Sequence, residues 1–337
     1  MALKYDVITF GSGTRDVFAN TDATYIMDGS GNYKELISYP TGSKILINQL
    51  KFEIGGGGTN TAYAFSRLGL KTAWLGKIGN DSTANHIMDF IKKTKIDFIG
   101  VKGKGTSGYS VILDSKGHDR TILTHKGEND TLSFDEIKLS KLSTRWIYFS
   151  SMMGKSFQTQ KKLASYAGKN KIKLAFNPSS YQAKFGYTKL GSILKNTDVL
   201  TLNLEESRLL LNKEYENNIE SLIIALRKLG PRIVVITDGN KGAYCLSGND
   251  LYIIYPHHDI KIIETTGAGD AFASSFVAGL MIKGEEKADI EYALRLGVAN
   301  SESVIQNYGA KNRLLTIREA EKAMKQPTKI IQKEIRY

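Results

Sequence analysis

The segment ETTGAGDAFASSFVAGL, residues 264–280, places a carboxylate among small residues at the start of an apolar run. Phe272, Phe276 and Leu280 recur at every fourth position, which marks one face of a helix that begins near Ala268. The first turn of such a helix leaves backbone N–H groups without partners at the positive end of the helix dipole. The segment therefore predicts a place where an anion can bind.

Glycine at the start of this helix gives a ligand access to the backbone, because no side chain stands in the way. The main chain of Gly267, Ala268 and Gly269 could then form an anion hole for phosphate oxygens. Asp270 follows directly and could accept a proton from a hydroxyl group. A structural role fits equally well, since Asp270 would favour the helix dipole and the glycines would allow tight packing.

A second glycine cluster favours the chemical interpretation. The segment GGGGTNTAYAFSRLG, residues 55–69, again places glycines and a polar residue, Asn60, before a predicted helix. Four consecutive glycines cost backbone entropy, which is understandable where a ligand must press against the main chain. The alternative is a flexible exit from a hairpin.

Composition narrows the range of functions. The 337 residues include a single cysteine, Cys245, which excludes an internal disulfide and is typical of a reducing cytoplasm. The sequence has neither an apolar run long enough to span a membrane nor a signal-peptide pattern at its start, so a cytoplasmic location without a membrane partner is expected. The net charge of +12 is scattered and carries no nucleic-acid motif, so no nucleic-acid partner is expected. A basic nucleic-acid binder remains the rival that this charge allows.

The order of elements indicates an α/β fold. Strand-like and helix-like segments alternate through the second half of the chain, which predicts a mainly parallel sheet covered on both faces. Segments at about 14–50 and 106–125 lack this alternation and predict a small accessory sheet, with a hairpin turn at Ser115–Gly117. A single domain spanning 1–337 with a lid is therefore expected.

Five motifs occur in a characteristic order along the chain. They contain, in turn, Asp16 in GSGTRD; Gly55, Gly56, Gly58, Asn60 and Gly69 in the first glycine cluster; Asn203 and Glu206 in NLEE; Thr237, Gly239 and Gly242 in TDGNKG; and Thr265 through Asp270. Together they resemble the ribokinase-like (PfkB) carbohydrate kinase family, from about residue 5 to 325. The resemblance implies a three-layer αβα fold with a mainly parallel central sheet and a small β-sheet lid.

The resemblance also implies transfer of the γ-phosphoryl group of Mg·ATP to a hydroxyl of a small sugar. It assigns Asp270 as the general base and the backbone of Gly267, Ala268 and Gly269 as the anion hole. The residues assigned to the acceptor are Asp16, Gly56, Gly57 and Asn60. The residues assigned to the nucleotide are Asn203, Thr237, Gly239 and Gly242. Glu206 would act on Mg²⁺ through water, and the lid would close over the sugar and offer a homodimer contact.

Two departures from the family pattern affect these expectations. Glu264 stands where the family usually has an aspartate that helps to bind a monovalent cation, and the nearby Lys311 and Arg313 add positive charge. Weak or absent dependence on K⁺ is therefore expected. Gly57 stands where kinases of phosphorylated sugars often carry a lysine, which favours an unphosphorylated acceptor. The alternatives are a nucleoside kinase of the adenosine-kinase type and a catalytically silent binding or regulatory homologue.

Overall fold

The computed structural model describes residues 3–22, 25–28, 35–114, 121–284, 287–307 and 309–335. Its strands are β1 (Tyr5–Phe10), β2 (Thr14–Asn20), β3 (Tyr25–Asp28), β4 (Glu35–Ser38), β5 (Gln49–Gly55), β6 (Thr72–Leu75), β7 (Lys77–Ile78), β8 (Ile96–Phe98), β9 (Val101–Lys102), β10 (Gly108–Asp114), β11 (Thr121–His125), β12 (Thr144–Ser150), β13 (Lys173–Asn177), β14 (Val199–Asn203), β15 (Ile233–Thr237), β16 (Ala243–Ser247), β17 (Asp250–Ile254) and β18 (Ile330–Glu334). Its α-helices are α1 (Gly57–Arg67), α2 (Ser82–Lys92), α3 (Gly154–Lys169), α4 (Ser180–Ala183), α5 (Gly186–Leu194), α6 (Leu204–Leu211), α7 (Ile219–Arg227), α8 (Ala268–Ile282), α9 (Lys287–Ile305) and α10 (Ile317–Ala323). Short 3₁₀ turns lie at Gly127–Asp130, Phe134–Glu136, Leu139–Lys141 and Gly239–Lys241.

The central sheet has ten strands in the order β18-β17-β16-β15-β14-β13-β12-β1-β6-β8. The seven strands from β15 to β8 run parallel, and β16, β17 and β18 continue the sheet in antiparallel fashion. The predicted mainly parallel sheet is confirmed. Because parallel strands end at one edge, the loops that follow β1, β14 and β15 meet there.

Two hydrophobic layers cover the sheet, one on each face. Neighbouring residues of a strand face opposite sides, so Ile8 packs in the layer of helices α3, α5, α6 and α7, whereas Val7 packs in the layer of α1, α8, α9 and α10. This is the expected three-layer αβα arrangement. The helix α8 is apolar almost all round, and Phe272, Phe276 and Leu280 are all buried in the second layer.

A separate four-stranded sheet has the order β11-β10-β2-β5. Residues from both predicted lid segments form it, with Asp16 of β2 opposite Ser110 of β10 and Glu53 of β5. The turn predicted at Ser115–Gly117 lies outside the described residues. The small sheet exposes apolar side chains, among them Leu50, Phe52 and Leu123.

Several elements differ from the sequence predictions. The first helix begins at Gly57 rather than near Asn60, because Gly56 adopts φ 90° and can start the helix inside the glycine cluster. The run KTAWLGKIG, whose apolar pattern predicts one strand, divides into β6 and β7. Short elements such as β8, α4, α5 and β18 carry too little periodicity to be predicted. None of the described helices combines the length and apolar character needed to cross a lipid bilayer.

Candidate active site

The anion-hole glycines occupy the N-terminus of α8, and the two differ in what surrounds them. Gly267 caps the helix with a left-handed φ of 79°, and a Cβ there would lie 2.4 Å from the Cβ of Ala310. A Cβ on Gly269 would meet no atom within 4 Å. The turn is therefore held by packing at Gly267, while the backbone at Gly269 faces open space.

Asp270, the third residue of α8, lies beside the first glycine cluster. The Asn60 side-chain amide donates to Asp270 Oδ2 at 2.9 Å, which joins segments 210 residues apart in sequence. A Cβ on Gly57 would lie 3.9 Å from Asp270 Oδ1, so the second carboxylate oxygen faces the start of α1. The structure thus brings together Asp270, Asn60 and Gly57.

Asp16 stands on β2 next to the same cluster. Its Oδ1 accepts a hydrogen bond from the Thr14 hydroxyl at 2.7 Å, and its Oδ2 would overlap any Cβ on Gly55, at 1.7 Å. Glycine at position 55 is therefore required for the Asp16 carboxylate to fit. Gly56 follows with its positive φ and turns the chain into α1, so Asp16 lies against Gly55 while Gly57 and Asn60 lie beside Asp270.

Burial sets the protonation of both carboxylates. Desolvation raises the pKa of Asp270, and the Asn60 hydrogen bond and the positive charge of Lys311 oppose that rise. The pKa of Asp16 is also raised by desolvation, against the Thr14 hydrogen bond and the charge of Lys311. A base whose pKa lies above the ordinary aspartate value accepts a proton more readily at neutral pH.

Lys311 is a site residue that sequence reasoning used only as a positive charge near the monovalent-cation position. Its ammonium group donates to Asn60 Oδ1 at 2.6 Å and to the Ile54 carbonyl, and only 9% of the residue is exposed. Burial lowers the pKa of Lys311 to about 8, although the charges of Asp16 and Asp270 work in the opposite direction. The only signal in the sequence was a positive residue shortly after Gly309, which says nothing about its contact with Asn60.

Asn129 is a second residue that sequence reasoning missed. It is fully buried in a 3₁₀ turn, where its side chain accepts from the Gly13 N–H at 3.0 Å and donates to the Gly13 carbonyl at 2.9 Å. These two bonds fix the backbone just before β2 and hence the position of Asp16. No periodicity marks such a contact, because it joins positions 116 residues apart.

Asn203 and Glu206 form a reciprocal cap at the start of α6. The Asn203 side chain accepts from the Glu206 N–H at 2.8 Å, and Glu206 Oε2 accepts from the Asn203 N–H at 3.0 Å. Glu206 is 9% exposed, and desolvation first, then the charges of Glu205 and Asp270, raise its pKa to about 7. The structural role of this motif was not part of the sequence prediction.

The Tyr148 hydroxyl connects Glu206 with Asp270 electrostatically. Tyr148 is buried on β12, its hydroxyl has no hydrogen-bond partner among the described residues, and its pKa is raised by desolvation and by both carboxylates. The charge of Asp270 also contributes to the raised pKa of Glu206. These carboxylates therefore face one region in which a cation would be favourable.

The carboxylates near this region are suited to a Mg²⁺ ion whose remaining ligands are phosphate oxygens and waters. Among the described residues, no cluster of three or more His, Cys, Asp or Glu side chains could hold a metal ion by itself. Mg²⁺ is usually bound by one or two carboxylates together with substrate phosphates and waters, and such a site requires no such cluster. Glu206 supplies a buried carboxylate of this kind.

The residues assigned to nucleotide binding lie at or after the carboxyl ends of β14 and β15. Asn203 is paired with Thr237 at the ends of β14 and β15. In the turn that follows, Gly239 has φ 51° and open space around it, whereas a Cβ on Gly242 (φ 102°) would lie 2.0 Å from the Ile254 carbonyl. Gly242 therefore serves the packing of the turn, and Gly239 leaves the edge open.

A cavity of about 930 Å³ is lined in part by Tyr255, whose Cα would lie 3.3 Å from a Cβ on Gly242. It lies between the segment 255–260, which follows β17, and the C-terminal half of α9. In its wall, Glu302 accepts from the His257 N–H at 2.8 Å and pairs with the His257 ring at 2.9 Å. The wall continues toward the anion hole, because the N–H groups of Ile263 and Glu264 donate to the Ile305 carbonyl at the end of α9.

Glu264 uses its carboxylate within the protein. Its Oε2 accepts from the Gly309 N–H at 2.7 Å, and its Oε1 accepts from the Thr266 hydroxyl. Each oxygen therefore has a protein donor, which holds the carboxylate toward Gly309 and Thr266, and a carboxylate oxygen can accept more than one such bond.

Comparison with known proteins assigns the family. Residues 22–317 match the pfkB family of carbohydrate kinases. The chain belongs to this family. An uncharacterised sugar kinase of Archaeoglobus fulgidus is 33% identical over 257 residues, which cover 74% of this chain and 97% of that protein.

Solved structures agree with the fold. A nucleoside kinase from Methanocaldococcus jannaschii has a TM-score of 0.77 at 19% identity, covering 97% of this chain and 100% of that chain. The ribokinase of Arabidopsis thaliana, complexed with ribose and ATP, has a TM-score of 0.78 at 19% identity, covering 96% and 99%. The ribokinase-like fold is therefore confirmed. The protein is an ATP-dependent carbohydrate kinase, a phosphotransferase whose acceptor is an alcohol group.

Proposed function

We propose that this kinase transfers the γ-phosphoryl group of Mg·ATP to a hydroxyl of a small, unphosphorylated sugar. One observation carries the proposal: Asp270 lies at the open N-terminus of α8 and is hydrogen-bonded to Asn60 of the other glycine cluster. Asp270 therefore lies between a backbone suited to binding phosphate and the polar side chains assigned to the acceptor.

In this proposal the acceptor hydroxyl lies against Gly57 and gives its proton to Asp270 Oδ1 as its oxygen bonds to the γ-phosphorus. The bond between the γ-phosphorus and the β,γ-bridging oxygen breaks, and ADP leaves with that oxygen. Asp270 Oδ2 remains bonded to Asn60, so the carboxylate keeps its orientation. Asp16 and Asn60 hold other hydroxyls of the sugar. The N–H groups of Gly267 and Gly269 stabilise the negative charge that spreads over the transferring phosphoryl group. The Ala268 N–H, which donates to the Thr265 carbonyl at 3.2 Å, would join them by exchanging that bond for one to the phosphate.

The triphosphate would reach this point from the carboxyl edge of the sheet. Thr237, Gly239 and Gly242 line its path, and the 930 Å³ cavity beyond Gly242 would receive the base. Asn203 and Glu206 would act around the phosphates, with Glu206 bound to Mg²⁺ through water. When bound, Mg²⁺ would neutralise part of the phosphate charge.

The small sheet would act as a lid over the sugar, because it carries Asp16 and borders the acceptor space. A lid that excludes water would suppress transfer of the phosphoryl group to solvent. We also propose that two copies associate through this sheet, where Leu50, Phe52 and Leu123 expose apolar surface.

The identity of the acceptor is the open choice. A nucleoside is the alternative class, because one solved structure with this fold is named a nucleoside kinase and another is complexed with inosine. Gly57, which leaves no lysine in the first glycine cluster, favours an acceptor without phosphate. A silent homologue is less favoured because Asp270 and the open backbone at Gly269 are both present.

The deciding experiment is a coupled assay of ADP release with Mg·ATP against sugars, sugar phosphates and nucleosides. Turnover on a free sugar supports the proposal, and turnover on a nucleoside alone would replace it with the alternative class. ATP binding without turnover on any acceptor would support the silent homologue. Each acceptor is tested with and without K⁺. The longer side chain of Glu264 and the positive charges of Lys311 and Arg313 lead us to expect little or no effect of K⁺ on the rate.

A further inference from the structure

Lys311 connects three parts of the site that come from distant regions of the sequence. It follows α9, and its ammonium group donates to the Ile54 carbonyl of β5 in the small sheet and to Asn60 Oδ1 of α1. Asn60 in turn donates to Asp270 on α8. A continuous chain of hydrogen bonds therefore runs from the small sheet to the base.

The direction of these bonds fixes the orientation of the Asn60 amide. An ammonium group can only donate, so it must face the amide oxygen. The amide nitrogen of Asn60 then points at Asp270 Oδ2, at 2.9 Å. Without Lys311 the amide could turn, and its oxygen would face the carboxylate, which has no proton to share with it when ionised.

The surroundings of Lys311 explain why its charge is tolerated. Asp16, Asp270 and Glu53 face it from β2, α8 and β5, and the ring of Phe90 on α2 lies 5.2 Å from the ammonium group. The charge of Lys126 also acts on Asp16, and the charge of Asp270 acts on Glu206 and Tyr148. Among these groups, Lys311 is the cation that hydrogen-bonds to Asn60, and Asn60 in turn hydrogen-bonds to Asp270.

We propose that Lys311 is a positioning residue that orients the Asn60 amide and thereby holds Asp270 in its ionised, aligned form for proton abstraction. The proposal rests on the proposed function in assigning Asp270 as the base. It predicts that replacing Lys311 changes the pKa of Asp270, an effect that replacing a residue serving packing alone would not have.

The first test compares the pH dependence of turnover in the wild type, Lys311→Met and Lys311→Arg. Loss of the Asn60 contact in Lys311→Met should lower kcat roughly tenfold to a hundredfold, with little change in the KM for ATP. Removing the positive charge raises the pKa of Asp270, so the acidic limb of the kcat/KM profile should move to higher pH.

The alkaline limb gives a separate readout. The pKa of Lys311 is lowered to about 8, so wild-type kcat/KM should fall above that pH as the ammonium group loses its proton. Arginine stays charged throughout, so Lys311→Arg should restore part of the turnover and lose this limb. Arg313→Gln, which removes a positive charge from the same segment, serves as the control and should keep the wild-type profile.

A second measurement does not depend on turnover. Carboxyl ¹³C shifts in aspartate-labelled protein, with the Asp270 signal assigned from Asp270→Asn, give the pKa of Asp270 directly. An increase in this pKa in Lys311→Met, with unchanged melting temperature, supports the proposal. An unchanged pKa or an unchanged pH profile in an active Lys311→Met enzyme would overturn it. Absence of wild-type turnover with any acceptor, beside a coupled pKa, would count against the proposed function alone.

Discussion

At the scale of single residues, the site depends on a carboxylate whose charge is costly. Asp270 is desolvated, and only the Asn60 amide and the Lys311 charge are found to lower its pKa. Such a group is poised to accept a proton when a hydroxyl enters beside it. A residue that served only to cap α8 would gain nothing from a desolvated position that raises its pKa.

Replacing Asp270 by asparagine tests this assignment. The amide keeps the size of the side chain but cannot accept the proton, so kcat should fall at least about 100-fold, with little change in ATP affinity. Steady-state kinetics and nucleotide titration would measure the two effects. Asp89→Asn, a change at an exposed position of α2, serves as the control. Full turnover in Asp270→Asn would show that another group takes the proton.

At the scale of elements, the N-terminus of α8 combines a tightly packed cap with an open first turn. Gly267 meets Ala310 of the segment that follows α9, and Glu264 bonds to Gly309 in that same segment. Packing and hydrogen bonding to this segment therefore hold the N-terminal cap of α8 in place. The open side at Gly269 is left for a ligand.

Alanine substitutions at the two glycines should therefore have opposite signatures. In Gly269→Ala the methyl group meets no protein atom, so the melting temperature should hold or rise, while kcat should fall at least about tenfold because the methyl group blocks the phosphate. Gly267→Ala should lower the free energy of unfolding by about 1–3 kcal/mol, because its φ is 79° and its Cβ would meet Ala310.

Thermal unfolding and steady-state kinetics on both variants would measure this contrast. If Gly269→Ala keeps wild-type turnover, the phosphate does not approach the backbone at that residue, and the anion hole must lie elsewhere.

At the scale of the whole molecule, the small sheet is the surface through which we propose that two copies associate. Its outward apolar side chains include Leu50, Phe52 and Leu123, each about half exposed. A dimer formed through this sheet would cover them and would leave the central sheet untouched.

Sedimentation velocity would test the association. We expect the wild type to sediment as a dimer and Leu123→Lys to shift toward the monomer, since a lysine cannot be buried in an apolar contact without large cost. Leu139→Lys, at an exposed leucine in a 3₁₀ turn away from the small sheet, is the matched control. A wild type that sediments as a monomer, or a Leu123→Lys variant that remains a dimer, would contradict the proposal.

The sequence predicted the layers of the fold better than the contacts of the site. Alternating apolar strands and helices indicated the parallel sheet because period and burial are local properties of the chain. The edge strand β18 was not predicted because most of its side chains are exposed. The roles of Lys311 and Asn129 could not be predicted, since each depends on a partner more than 100 residues away.

Gly13 and Gly58, near the residues assigned to the acceptor, pack against the buried indole ring of Trp74. Trp74 is fully buried, its ring nitrogen donates to the Gly11 carbonyl at 3.0 Å, and Cβ atoms on Gly13 or Gly58 would lie within 2.7 Å of it. The chain has only one other tryptophan, Trp146. The fluorescence of Trp74 should therefore respond when a sugar shifts these glycines, which gives the enzyme an intrinsic optical probe of acceptor binding that needs neither ATP nor turnover.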